Sequence, residues 1–165
     1  MAQVVKRLPQ EDTTMGQSLS KVVLHIIFST KNRFAFFNNK DLQRRMYAYL
    51  AAVFNEHDTR AIEVGGAKDH VHILCLLSRN YSISQIIRKA KANSSSWAKR
   101  FGGIYSKFSW QSGYGVFSIH HSQIEQVKRY IQNQVEHHRQ KSFQEEYLEV
   151  LLDNKIPYDE RYIWD

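Results

Sequence analysis

The sequence predicts an α+β fold of order β-α-β-β-α-β-α around a four-stranded antiparallel sheet, and three observations carry that reading. Four short apolar runs, centred near residues 25, 62, 74 and 117, are bounded by turn residues. Longer stretches with apolar residues every three or four positions lie between and after them. Gly65-Gly66 stands between the second and third runs, where a hairpin would turn. No internal repeat or low-complexity tract interrupts the pattern.

Residues 1–17 show no convincing periodicity and include Pro9, so they are expected to form a disordered tail, with Met15 as an alternative start. Residues 18–165 are expected to form one domain. Ser20 to Thr30 reads as a strand buried on both faces, with His25 inside it as a hydrogen-bonded core or edge residue, followed by the basic loop Lys31-Asn32-Arg33. Asn38 or Asn39 caps a helix to about Glu56, whose apolar stripe is Leu42, Met46, Tyr49, Leu50 and Val53.

Arg60 to Val64 and Lys68 to Leu77 form the hairpin. Ser82 and Gln85 have the spacing of a capping box and open a helix with Ile83, Ile86, Ile87, Ala90, Ser94, Trp97 and Phe101 on its inner face; Gly102-Gly103 ends it. Arg88, Lys91 and Lys99 fall off that stripe and are expected to face solvent or a ligand. Ile104 to Gly113 reads as a loop, and Tyr114 to Ile119 as the fourth strand. Ser122 and Glu125 suggest a second capping box, opening a helix to about Gln140 with Val127, Ile131 and Val135 buried. A last helix covers Phe143 to Leu152. This order is the split βαβ arrangement of ferredoxin-like folds, two helices on one sheet face and the other face free for a ligand, partner or extra helix.

Composition narrows the function. The chain of 165 residues is 42 % apolar, enough for one packed core, and no apolar run reaches the length of a membrane span. A single cysteine, Cys75, excludes an internal disulfide or a multi-cysteine zinc site, and a reducing cytoplasm is the expected location. The formal charge of +7 is localised: from His70 through Ile124 there is no Asp or Glu but seven bases, Arg79, Arg88, Lys89, Lys91, Lys99, Arg100 and Lys107. Of the 23 Lys and Arg, the other sixteen equal the sixteen acids in number, so the net charge lies in this block. Trp97, Phe101, Tyr105, Phe108, Trp110 and Tyr114 lie among the bases, a pattern that favours a nucleic acid over a merely basic surface.

The chemistry centres on His70 and His72. Two residues apart on a strand, they share one face, with Val71, Ile73 and Cys75 on the other. Buried imidazoles need partners. The helix after the fourth strand offers Tyr130 and Gln134, four apart and therefore neighbours on its surface. Set against the histidines, they would assemble two imidazoles, an amide oxygen and a phenol around a divalent ion. A free phenol has a pKa of about 10, so Tyr130 needs a cation or base beside it to act as a nucleophile. His120, His121, His137 and His138 read as polar surface, with His137 an alternative ligand or proton acceptor.

Four motifs together resemble the single-tyrosine HUH transposases of the IS200-like group: Val23 to Arg33, Asp69-His70-Val71-His72-Ile73, Trp110 to Tyr114, and Tyr130 to Gln134. The resemblance covers nearly the whole chain from about Gly16. It implies an HUH endonuclease-type fold with His70, His72 and Gln134 as ligands of Mg²⁺ or Mn²⁺, and Tyr130 as the nucleophile that becomes joined to a DNA 5′-phosphate. It further implies a homodimer, in which the tyrosine helix can serve the partner's histidines, and hairpin-bearing single-stranded DNA at insertion-sequence ends as substrate. Lys31, Arg33, Arg79, Arg88, Lys89, Lys91, Lys99, Arg100, Lys107 and Trp110 are the expected DNA contacts, and the protein would act at the nucleoid. The donor set does not itself choose Mg²⁺, which prefers oxygen, over Mn²⁺ or Zn²⁺. The competing reading is a non-catalytic, domesticated domain that binds nucleic-acid hairpins.

Overall fold

A computed structural model describes residues 18–164; the expected N-terminal tail and its Met15 lie outside them. The predicted order is present. Strands β1 (Val23–Ser29), β2 (Arg60–Gly66), β3 (His70–Leu76) and β4 (Gly115–Ser118) form one antiparallel sheet in the order β2-β3-β1-β4. The helices are α1 (Lys40–Glu56), α2 (Ile83–Lys99), α3 (Ile124–Gln132), α4 (Gln134–His137) and α5 (Phe143–Asp153). No helix among the described residues is long and apolar enough to cross a membrane.

Alternation along the central strands sorts the two faces. Leu24, Ile26 and Phe28 of β1 and Val71, Ile73 and Cys75 of β3 meet Met46, Leu50 and Phe54 of α1 and Ile86, Ile87, Ala90 and Ala98 of α2 in the main core. The opposite face carries His25, Ile27 and Ser29 of β1 beside Leu74, His72 and His70 of β3, residue for residue. There α3 covers Val23 and Leu74 with Ile131, while α5 covers Ile27 and Phe117 with Phe143, Tyr147 and Leu151. The face expected to be free for an extra helix therefore holds three short ones.

Local chemistry sets the helix starts. The Asn39 side chain accepts from the backbone N–H groups of Asp41 and Leu42 to begin α1, and Ser82 with Gln85 forms the predicted capping box of α2. Before α3 the expectation needs correcting. His120, not Ser122, supplies the cap, with Gln123 as its reciprocal partner, and a short 3₁₀ turn precedes α3. The predicted single helix to Gln140 is also broken: Asn133 leaves helical geometry between α3 and α4, and Val135 turns out to 55 % exposure instead of joining Ile131 inside. Gly65 and Gly66 belong to β2, so the hairpin turns at residues 67–69.

Candidate active site

The sheet alone delivers the two histidines. His70 pairs with Ser29 and His72 with Ile27 on the central strands, and neither side chain is exposed. Each imidazole is oriented from its Nδ1 side. Asp69 Oδ1 lies 2.7 Å from His70 Nδ1, and His25 Nε2 lies 2.9 Å from His72 Nδ1. His25 is thus the hydrogen-bonded core residue expected. Burial would raise the Asp69 carboxyl, but the hydrogen bond and charge of His70 outweigh it and hold Asp69 below its usual value. Asp69 therefore accepts from His70 Nδ1–H, which leaves His70 Nε2 pointing inward.

Tyr130 and Gln134 do arrive at this place, from the end of α3 and the start of α4. Gln134 is buried, its Oε1 3.2 Å from His70 Nε2. The Tyr130 ring stands edge-on to His72, 5.8 Å between centroids, and beside His25 and His137 at 6.2 and 5.4 Å.

Two further residues meet them, and sequence reasoning missed both roles. Glu146, on α5, is 2 % exposed and sits at the centre of the group. Its Oε1 accepts hydrogen bonds from the Tyr130 hydroxyl and from Gln134 Nε2, the latter at 2.8 Å. Its Oε2 is 3.8 Å from His70 Nε2, 3.6 Å from His72 Nε2 and 2.9 Å from His138 Nε2. His138 Nδ1 lies 2.8 Å from the Lys141 carbonyl, which can only accept, so its Nε2 also points inward as a lone pair, 2.9 Å from Gln134 Oε1. His138 is therefore not the polar surface residue expected. The signal for Glu146 was a carboxylate on the apolar stripe of α5, beside Phe143 and Tyr147.

The electrostatics follow from burial. Desolvation lowers His72 and His25 well below the usual imidazole value, helped in each case by a neighbouring histidine, and lowers His138 to about 4. The same effect raises Glu146 to about 7. His72 Nε2 and Glu146 Oε2 are buried with no hydrogen-bond partner. His70, His72, His138 and Glu146 each bring one donor atom within 4.8 Å of the others. Unpartnered nitrogen and oxygen atoms converging in a buried space are what a cation-binding site presents before its ion.

The expected DNA contacts are scattered by the fold. The α2 residues Arg88, Lys89 and Lys99, and Arg100 after them, are exposed but ride on the face of the sheet opposite the histidines. Arg79 is exposed and donates to the Ser18 carbonyl. Two expectations need correcting. Trp110 is 6 % exposed, donates to Ser94 Oγ at 2.9 Å and packs edge-on against Phe28 and Phe108, so it is core and cannot stack on a base. Lys91 is half-buried, and its ammonium donates to the carbonyls of Gln111, Ser112 and Gly113, fastening the loop before β4. In that loop Gln111 Oε1 accepts from the Ser29 backbone and hydroxyl, next to His70. Lys31 and Lys107 remain near the site's end of β1, together lining a hollow of about 560 Å³ with Phe34 and Ile104; Arg33 lies over the Trp164 ring.

Residues 18–134 match the family described as Transposase IS200 like. Among solved structures, a Deinococcus radiodurans R1 protein assigned as a transposase is 18 % identical, with 74 % of this chain and 98 % of that one covered at a TM-score of 0.57. A REP-associated tyrosine transposase bound to a REP hairpin is 16 % identical, with 76 % and 74 % covered at 0.53. At these identities the likeness is one of fold. No curated protein matches the chain.

Proposed function

The chain belongs to the IS200-like transposase family, and from that premise we propose that it nicks and rejoins single-stranded DNA at insertion-sequence ends through a 5′-phosphotyrosine at Tyr130. The observation that carries this reading is the meeting of Tyr130, His70, His72 and Gln134 of one chain in one buried site.

His70, His72 and Gln134 would hold a divalent ion, Mn²⁺ or Mg²⁺, and the orphaned His72 Nε2 supports that fit. Bound there, the ion would neutralise charge on a phosphodiester oxygen. The rest of the step belongs to the chain's own side chains. Tyr130 Oη forms a bond to phosphorus as the bond from phosphorus to the 3′ oxygen breaks. The phenol proton passes to a base, and His137 stands beside the ring with Nε2 unpartnered. The departing 3′ oxygen takes up a proton and leaves as a hydroxyl. The phosphotyrosine keeps the energy of the broken ester, so a second 3′-hydroxyl can reverse the reaction on a new strand without ATP. The strand substrate would carry hairpins, read in part by Lys31, Arg33 and Lys107.

Tyr130 stands beside its own chain's histidines, which supports a site built within one protomer; a homodimer would then serve to bring two DNA ends together. The test is incubation of the protein with Mn²⁺ or Mg²⁺ and single-stranded DNA from the flanks of its gene. A covalent protein–DNA band on a denaturing gel is expected, absent in Tyr130→Phe. An adduct that survives Tyr130→Phe refutes the nucleophile; hairpin binding with no adduct under either metal favours the non-catalytic alternative.

A further inference from the structure

The family match ends at Gln134, yet the cluster around the histidines continues beyond it. His138 closes α4, and Glu146 lies on α5; both converge on the atoms of His70 and His72 that face inward. Hydrogen bonds leave two atoms of this convergence, His72 Nε2 and Glu146 Oε2, without a partner. Asp69 and the Lys141 carbonyl fix the protons of His70 and His138 on Nδ1. The two Nε2 atoms then both face Gln134 Oε1, at 3.2 and 2.9 Å. Gln134 cannot relieve this by turning its amide, because its Nε2 is committed to Glu146 Oε1 at 2.8 Å. Glu146 Oε2 adds a further acceptor, without a hydrogen-bond partner of good geometry although His138 Nε2 is 2.9 Å away. The Nε2 atoms of His70, His72 and His138 thus face one small volume with Gln134 Oε1 and Glu146 Oε2, and two of the five, His72 Nε2 and Glu146 Oε2, have no hydrogen-bond partner.

We propose that His138 and Glu146 are additional ligands of the ion held by His70, His72 and Gln134, so that the DNA-free protein carries a three-imidazole, one-carboxylate, one-amide site selective for a transition-metal ion over Mg²⁺. This rests on the metal-dependent reading above and extends it. Ligands about 2.1 Å from one ion lie about 3 Å from their neighbours, and the shortest separations here already have that size. Three imidazoles argue against Mg²⁺, which takes oxygen ligands and keeps its waters, and favour Mn²⁺, Co²⁺ or Zn²⁺. Asp69 on His70 and the Lys141 carbonyl on His138 are the outer partners that metal-bound histidines need to hold their tautomer. The carboxylate also supplies the negative charge that three neutral imidazoles and an amide lack.

The experiment is titration of the metal-free full chain, without DNA, with Co²⁺, Mn²⁺ and Mg²⁺, followed by calorimetry and by the visible spectrum of Co²⁺. One equivalent of Co²⁺ should bind at least ten-fold more tightly than Mg²⁺, and Glu146→Gln and His138→Gln should each weaken Co²⁺ by at least ten-fold. Affinities within two-fold of wild type in both variants would overturn the ligand set, as would Mg²⁺ binding as tightly as Co²⁺. A readout independent of the variants' folding is the proton NMR spectrum of the Co²⁺-loaded wild type. Three strongly shifted imidazole N–H signals support the proposal, and two refute it. A chain that forms the Tyr130 adduct but shows two such signals keeps the reaction and loses this ligand set; the converse loses the reaction alone.

Discussion

Gly65 tests whether the tyrosine helix rests where the fold places it. The residue pairs with His72 across the β2–β3 ladder, and α3 passes directly over it. A Cβ at Gly65 would lie 2.7 Å from Ile131 Cγ2 and 2.8 Å from the Ile131 carbonyl oxygen. The methyl could be relieved by a rotamer change; the carbonyl could not, because it belongs to the helix backbone. Gly65→Ala must therefore lift the last turn of α3 by several tenths of an ångström. Overpacking of this kind costs about 1–3 kcal/mol. Ile131 is neighbour to Tyr130, so the shift reaches the proposed nucleophile, where about 1 Å of misplacement would cost on the order of 10²-fold in rate. Urea unfolding reads the first effect and the rate of adduct formation the second. Adding Ile131→Ala should recover part of the loss by a double-mutant cycle, since it removes the methyl and leaves the carbonyl. A Gly65→Ala protein with wild-type midpoint and wild-type adduct rate would refute this packing of α3 on β2.

Two other perturbations separate the electrostatic roles. Burial raises Glu146 from 4.5 to about 7, so its contribution to stability is fully present below about pH 4.5 and lost as pH rises through 7, at most about 3 kcal/mol for the metal-free chain. His138, lowered to about 4, acts in the opposite sense, its contribution present above about 6.5 and lost as pH falls through 4. In EDTA, Glu146→Gln should therefore gain stability relative to wild type between pH 5 and pH 8; parallel urea profiles at the two pH values would contradict the buried carboxylate. For DNA, Lys31→Ala with Lys107→Ala should reduce the salt dependence of single-strand binding by up to about two units of slope, whereas Arg88→Ala with Lys89→Ala, across the sheet, should change it less. Equal losses from the two pairs would restore a DNA path along α2.

The sheet and the first two helices were legible because β1 is a long, largely apolar run, His70 and His72 alternate with Val71 and Ile73 on β3, and the period-3.6 stripes of α1 and α2 are long. The break at Asn133 was not, because Gln132-Asn133-Gln134 holds neither Gly nor Pro and the apolar spacing of Val127, Ile131 and Val135 continues straight through it. The start of α3 was misread because His120 caps a 3₁₀ turn ahead of the helix, and α3 itself begins after Gln123 without a side-chain cap. At the site, His70, His72, Tyr130 and Gln134 were readable as residue types at telling spacings. Glu146 was not, since it stands in a row of acids with Glu145 and Glu149, and distinguishing it needs the knowledge that α5 lies on the histidines' side of the sheet. Aromatic residues among bases misled in the case of Trp110: alternation of charge and ring does not say which rings the core will claim.

Burial sets the terms on which DNA meets this site. His70 and His72 have no exposed surface, Gln134 is 1 % exposed and Glu146 2 %, with α5 lying over them. Phe143 stacks on His70 at 4.4 Å, while Tyr147 and Leu151 pack on the sheet. On the proposed mechanism, a phosphodiester attacked in line would lie between the Tyr130 hydroxyl and the inward nitrogens of the histidines. The Glu146 carboxylate occupies that place, one oxygen hydrogen-bonded to Tyr130 and the other facing His72 and His138. Carboxylate and phosphodiester are both anionic, with paired oxygens able to accept from a phenol and to ligate a cation. The exchange of one for the other therefore keeps the charge of the site and the partner of Tyr130. What it costs is the undocking of α5 from the Phe143, Tyr147 and Leu151 contacts, and that apolar burial is the barrier the binding energy of the DNA strand has to meet.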